Sequence, residues 1–273
     1  MHTRKIPSSG ELLPVVGCGT WRVFDVGASP AERAPLADVL KALFEAGGSV
    51  IDSSPMYGKS EGVVGDLLAA AGTRDKAFLA TKVWISGREA GIAQMTDSFR
   101  LFRSDKIDLL HIHNLLDWQT HLPTLRAWKK EGRIRYLGVT HYTESAHTAL
   151  EATLKTGGFD FVQVDYSLDD REAEKRVLPA AAEVKAAVLT ALPFGRARLF
   201  RVVRGKEVPD WARSFADTWA QFFLKYLLSD PRITAVIPGT ADPAHMTDNV
   251  GAMRGPLPDP DQRKQMDAFA ATL

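Results

Sequence analysis

Only one cysteine, Cys18, stands in the whole sequence. No internal disulfide can form from it, so nothing in the cysteine content supports an oxidising compartment. An excess of charge of one sign is also lacking: basic and acidic side chains nearly cancel, leaving a net charge of +1, and no dense Lys/Arg run occurs. Nucleic acid and an anionic membrane surface are therefore poor candidates for the main partner. Long apolar runs are missing too. The opening residues, MHTRKIPSSGELLP, carry no apolar signal-peptide core, and no stretch approaches the roughly 20 residues of a membrane span. The expectation is a cytoplasmic protein. What the chain does have is length, since 273 residues with 45% apolar side chains form a large core without covalent staples.

Turn clusters and two periodicities organise that length. Residues 1–14 hold Pro7-Ser8-Ser9-Gly10 and Leu13-Pro14 around short apolar pieces, which predicts a small hairpin. Residues 15–19 then read as a first buried strand. Leu36, Val39, Leu40, Leu43 and Phe44 form a helical face closed by Gly47-Gly48. The alternation continues with strands predicted at 50–52, 77–82, 109–113, 136–140, 161–164, 187–190 and 235–237. Helical patterns between them include Val63, Val64, Leu67, Leu68 and Ala71; Leu122, Leu125 and Trp128; and Val177, Ala181 and Val184. Trp211, Phe215, Trp219, Phe222 and Phe223 mark one long late helix. Eight strands alternating with helices predict a single α/β domain over residues 1–273, a closed (β/α)8 TIM barrel behind a short N-terminal β-hairpin. An open doubly wound sheet is the competing arrangement.

Asp52, Lys82 and His113 close the second, third and fourth predicted strands, which as neighbours lie about 4.8 Å apart. Tyr57 rides on the loop after the second strand, in IDSSPMYGKSE. Taken singly, each has an ordinary explanation: a turn cap, a lysine at the rim, a core histidine, a loop aromatic. Taken together they make a proton-donor assembly. A free phenol has a pKa of about 10, too high for efficient transfer near neutrality. A nearby lysine lowers it, an aspartate anchors the lysine, and a histidine orients a carbonyl oxygen. Between residues 190 and 237 the strand spacing lengthens, and Arg196, Arg198, Arg201 and Arg204 follow Pro193-Phe194-Gly195. That segment is either a solvated basic loop or a site for an anion such as phosphate.

In the settings IDSSPMYGKSE, FLATKVW and DLLHIHN, these four residues resemble the catalytic tetrad of the aldo-keto reductases. The resemblance runs on through ELLPVVGCGTW, GRIRYLGVTHY, VQVDYSLDDREAE and VIPGTADPAHMTDN. It implies a barrel enzyme that moves hydride between a nicotinamide cofactor and an aldehyde or ketone, without metal. Tyr57 would be the general acid, Lys82 and Asp52 its tuning pair, and His113 the orienter of substrate. Gly19, Thr20, Trp21, Asp52, Thr140, His141 and Gln163 fall at nicotinamide-side positions. Pro193, Phe194, Gly195 and Arg196 resemble the pyrophosphate strap. Pro238, Gly239, Thr240, His245, Asp248 and Asn249 fall at the adenosine end, where a helix N-terminus favours phosphate. NADPH is the expected cofactor, with NADH as a second choice.

Several positions depart from the family pattern. Thr140-His141 stand for the usual Ser-Asn, Ala191 for a stacking tyrosine, Gly239 and His245 for the lysine and arginine that grip the 2′-phosphate, and Asp248 for a glutamate. Arg196, Arg198 and Arg201 are the candidate substitutes for that grip. His111 stands for a glutamine, and with His113 on one strand face it opens a rival reading as a metal-dependent hydrolase, with Asp52 and His141 nearby. A non-catalytic NADPH-sensing module is a third reading. The substrate pocket would be rimmed by Trp21, Tyr57, Trp84 and His113, with Phe24 and Trp118 as further candidates.

Overall fold

A computed structural model describes residues 1–272. Strands β1 (Thr3–Lys5) and β2 (Leu12–Pro14) pair antiparallel as the expected hairpin. Eight strands follow: β3 (Cys18–Gly19), β4 (Val50–Asp52), β5 (Phe78–Val83), β6 (Ile107–His113), β7 (Ile134–His141), β8 (Phe161–Asp165), β9 (Ala187–Ala191) and β10 (Ala235–Val236). Each lies parallel to its sequence neighbour. Bridges from Val16 to Val236 and from Gly19 to Gly239 join the first of these strands to the last. The Gly17 amide donates to the Val236 carbonyl at 2.9 Å, and that of Gly19 to Pro238 at 2.9 Å. Joined edges make this a closed barrel and remove the open-sheet alternative. The first strand is shorter than predicted, because residues 15–17 pair towards the last strand while only Cys18 and Gly19 pair with β4.

The outer layer is α1 (Pro30–Glu45), α2 (Ser60–Ala71), α3 (Arg88–Phe102), α4 (Trp118–Lys130), α5 (His147–Lys155), α6 (Val177–Val184), α7 (Arg198–Val202), α8 (Trp219–Leu228), α9 (Pro243–Gly251) and α10 (Pro260–Ala270). Side-chain caps fix four of their starts. Ser29 accepts from the Glu32 amide ahead of Pro30, and Asp259 with Gln262 forms a full capping box before α10. The long late helix is broken, however. Asp210–Ala212 form a separate short turn of helix, and α8 begins only at Trp219, where extended Thr218 caps the Gln221 amide. Trp211, Phe215 and Phe222 still pack ring to ring, with Trp211 centred 5.8 Å from Phe222. An aromatic cluster thus supplies the helical periodicity without a continuous helix.

Two apolar layers result from the alternation of side chains along each strand. Ile51, Leu79, Leu110, Val139 and Val162 face the helices. Val50, Phe78, Ala80, Leu109, Tyr136, Phe161, Leu189 and Ile237 fill the barrel, joined by Ile6 and Leu13 of the hairpin. The hairpin therefore plugs the N-terminal end, and the interior opens at the C-terminal end.

Closure leaves no room at Gly17, where a Cβ would lie 2.8 Å from Val50 Cβ and 2.8 Å from Ile237 Cδ1. Gly17→Ala should cost roughly 1–3 kcal/mol through overpacking. Gly62→Ala on α2 meets only Leu101 at 3.5 Å and should gain up to about 1 kcal/mol in helix propensity. Urea unfolding of both variants checks the pair; equal effects would mean the seam is not tight.

Candidate active site

Two residues beyond the lower interior layer, the same alternation carries Asp52, Lys82 and His111 inward, and His113 two residues further still. Lys82 is 1% exposed. Its ammonium donates to Asp52 Oδ1 at 2.9 Å, to Asp52 Oδ2 at 2.8 Å and to the Ser53 carbonyl at 2.7 Å. Tyr57 reaches the same place from the β4–α2 loop, with its ring centre 5.0 Å from Lys82 Nζ. That loop is tied down locally, since the Tyr57 amide donates to the Ser54 carbonyl at 2.9 Å and the Ser60 hydroxyl to the Tyr57 carbonyl at 2.7 Å. His113 Nδ1 lies 3.5 Å from the Ser54 hydroxyl, and its ring centre 6.3 Å from that of half-exposed Trp84. A phenol, an ammonium, a carboxylate and an imidazole are brought together at the open end.

Their charges follow from burial and from Lys82. Burial alone would lower the lysine, but Asp52 and Tyr57 outweigh it, so its pKa is raised and the ammonium keeps its charge. Burial pushes the Tyr57 phenol up, and the lysine pulls it back only in part. The expected net lowering of that phenol does not occur. His113 falls to about 3, through burial first and then the charges of Lys82 and His141. His111 falls well below the ordinary imidazole range for the same leading reason, with Lys82 and His113 adding to it. Both its ring nitrogens are buried without a hydrogen-bond partner. Gly138 makes room for this ring, because a Cβ there would lie 2.6 Å from His111 Cδ2.

The sequence model of the aldo/keto reductase family matches residues 15–271. The chain belongs to that family. Methylglyoxal reductase YeaE of Escherichia coli (strain K12) is 29% identical to it over 262 residues, covering 93% of this chain and 90% of YeaE. Aldo-keto reductase str7 of Strobilurus tenacellus is 27% identical over 300 residues, covering 92% and 87%. An aldo-keto reductase from Klebsiella pneumoniae, solved in complex with NADPH, shares the fold with a TM-score of 0.83 at 24% identity, covering 99% of this chain and 96% of that one.

In this aldo/keto reductase the positions matched to cofactor contacts line the barrel mouth and its seam. Thr140 and Gln163 are register partners on β7 and β8, and the Gln163 amide nitrogen is buried without a partner. Gly19 and Gly239 meet at the closure, and the Thr20 hydroxyl next to them donates to the Asp52 carbonyl at 3.0 Å. His141 is engaged through Nδ1 by the Thr143 amide at 3.2 Å. Trp21 carries two guanidinium groups, Arg22 at 4.4 Å and Arg196 at 5.2 Å from its ring centre. Pro193, Phe194 and Gly195 form a tight loop after β9, with Leu192, Gly195, Arg196 and Ala197 all at positive φ and Phe194 packed 4.8 Å from Phe200. Thr240 is buried ahead of α9 and Asn249 within it, and Pro238 accepts from Gly19.

Other expectations need revision. Asp248 accepts from the Thr218 hydroxyl and the Gln221 side-chain Nε2, both at 2.8 Å, so its carboxylate is engaged by the start of α8. The N-terminus of α9 is already capped by Asp242, which accepts from the Ala244 amide at 2.8 Å. Exposed His245 stands 3.9 Å from that same carboxylate. Arg198 is paired with Asp169 at 2.5 Å, whereas Arg201 has no ion-pair partner among the described residues. Phe24 is fully buried in the core and so rims no pocket, while partly buried Trp118 packs on Phe159. Both carboxylate oxygens of Asp52 are taken by Lys82, and that cation lies in register with His111. A metal ion placed on these side chains would meet a fixed positive charge. Sequence reasoning passed over Asp165, which follows Gln163 on the interior face of β8. Burial pushes its carboxyl up to about 7, against the pull of Arg196.

The His113 shift has a measurable consequence. Its folded value lies below the unfolded one near 6.5. The stability contributed by the neutral ring is therefore complete above pH 6.5 and is lost as the pH falls towards about 3. Relative to His113→Asn, the wild type should lose up to about 1.4 kcal/mol per pH unit in that window. Urea unfolding at pH 7 and pH 5 reads the difference, and a pH-independent gap would mean that the ring titrates normally.

Proposed function

We propose that the chain reduces aldehyde or ketone carbonyls of small molecules to alcohols, with NADPH as the preferred hydride donor and NADH as a second, acting as one barrel domain in the cytoplasm. The observation that carries this reading is the buried Lys82 ammonium, held by both oxygens of Asp52 and lying against the Tyr57 ring. No metal enters the scheme. Among the described residues no helix is long and apolar enough to cross a membrane.

Each residue then has a role. Tyr57 stays protonated at neutral pH and gives its proton to the carbonyl oxygen. Lys82 stabilises the phenolate left behind, and Asp52 fixes the lysine in place. Neutral His113 offers one N–H to the same oxygen and orients it. Trp21 and Trp84 flank the opening as apolar walls for the substrate. The buried, unpartnered amide of Gln163 fits a carboxamide such as that of nicotinamide, and Thr140 stands beside it. When bound, the reduced nicotinamide supplies the hydride. Arg196 and Arg201 are the basic groups left to meet cofactor phosphates, since Arg198 is paired. Because YeaE is a methylglyoxal reductase, small aldehydes are the first substrates to assay.

Tyr57→Phe should lower kcat for aldehyde reduction by about 10²- to 10⁴-fold while the NADPH dissociation constant, read by fluorescence titration, stays nearly unchanged. Full activity in that variant would remove Tyr57 from the chemistry. Reduction by the wild type should show no loss of rate on the alkaline side until the ordinary tyrosine range near 10 is passed, because burial holds the phenol up. The second expected outcome concerns the cofactor. With Gly239 and His245 at the gripping positions, NADPH should bind less than about 100-fold more tightly than NADH, or roughly 2.7 kcal/mol. A larger ratio of dissociation constants would count against the missing grip. Chelator-sensitive hydrolysis without cofactor binding would instead select the metal reading, and tight NADPH binding without turnover the sensor.

A further inference from the structure

Ser54 sits two residues after Asp52 on the loop that carries Tyr57, fully buried against the end of β6. Its hydroxyl oxygen accepts the Met56 amide at 3.2 Å, closing a tight turn. Its hydrogen must then go to an acceptor. The neighbouring acceptor is Nδ1 of His113, 3.5 Å away, a long contact of the kind that tightens when a site closes on its ligand. Among the described residues Nε2 of the same ring has no hydrogen-bond partner, which leaves it for whatever enters the barrel mouth.

A neutral imidazole carries one hydrogen, on one nitrogen or the other, and the partner of the first nitrogen decides the state of the second. If Nδ1 held the hydrogen, Nε2 would be a bare acceptor, repelled by a carbonyl oxygen. If Nδ1 accepts from a hydroxyl, Nε2 keeps the hydrogen and can donate it. We propose that Ser54 is a positioning residue for the reduction: its hydroxyl donates to Nδ1 of His113 and holds the ring in the tautomer whose Nε2–H faces the substrate oxygen. Ser54 touches no substrate itself and acts only through the ring. The inference rests on the carbonyl-reductase reading above for its catalytic meaning, though not for the tautomer itself.

The test is ¹⁵N NMR of histidine-labelled protein, with and without NADP⁺, on wild type, Ser54→Ala and Ser54→Thr. In the wild type His113 should be a single neutral tautomer with its hydrogen on Nε2. Ser54→Ala should give a mixture of tautomers and lower kcat by about tenfold, the scale of one net hydrogen bond, with KM and NADP⁺ affinity little changed. Ser54→Thr restores a hydroxyl and should return both the tautomer and most of kcat. A merely structural role through the Met56 turn would lower the melting temperature of Ser54→Ala and leave the tautomer alone. The inference is overturned if wild-type His113 carries its hydrogen on Nδ1, or if Ser54→Ala leaves the tautomer unchanged. Absence of any reductase turnover in wild type would sink the functional reading instead, while the spectra still report on Ser54.

Discussion

One buried ammonium sets the chemistry of the upper barrel. Lys82 has given up water and received three oxygens, two from Asp52 and one from Ser53, which match its three N–H donors. Removing a lysine from water costs several kcal/mol, and only near-ideal geometry repays it. Here the carboxylate is engaged through both oxygens and is itself nearly sealed from solvent. The pair is therefore rigid, and its positive end lies next to Tyr57, His111 and His113.

That placement sorts the neighbours by charge type. For the two histidines, burial and the lysine act in the same direction, and both rings stay neutral far below ordinary imidazole pH. For the phenol they oppose each other, and burial prevails. Beneath them the barrel tolerates an unusual expense. His111 buries its ring nitrogens with no close side-chain partner, the Thr81 backbone alone coming near, and β7 carries a glycine opposite to admit the ring. Such an orphaned polar group costs free energy that an apolar side chain would not. The lower interior layer, from Val50 to Ile237, packs apolar side chains and the Tyr136 ring and supplies the compensating burial.

Much of this was legible in the sequence because strands speak in a period of two. Val50–Asp52, Phe78–Ala80–Lys82 and Leu109–His111–His113 each run from apolar to ionisable on one face, so the strand ends predicted where Asp52, Lys82 and His113 would meet, with Tyr57 added by the loop after β4. The barrel followed from counting such ends. What the pattern could not carry was the sign of a balance. The lysine beside Tyr57 was predictable, but the depth of burial that overrides it depends on loops packed from distant parts of the chain. The broken late helix was hidden for a related reason, since aromatic residues at helical spacing also satisfy a cluster assembled across a capped turn. Asp248 and Arg198 likewise carried charges that the sequence left free for a ligand, and each has an internal partner that only the folded chain reveals.

The raised phenol and the adjacent lysine look contradictory only if the resting state is confused with the state formed during reaction. A proton donor must hold its proton until the carbonyl oxygen begins to gain charge, and burial ensures this by disfavouring phenolate in the resting site. In the proposed reduction, the substrate oxygen would become an alkoxide far more basic than any phenolate, so transfer from even a weakened Tyr57 phenol would be downhill. The phenolate would then form next to Lys82, in surroundings with little water to screen the attraction. In the proposed role the lysine would act on the charge that develops in the transition state rather than on the ground state, which is the condition for raising kcat. A site with the lysine but without the burial would leak its proton early. One with the burial but without the lysine would have nowhere to put the charge.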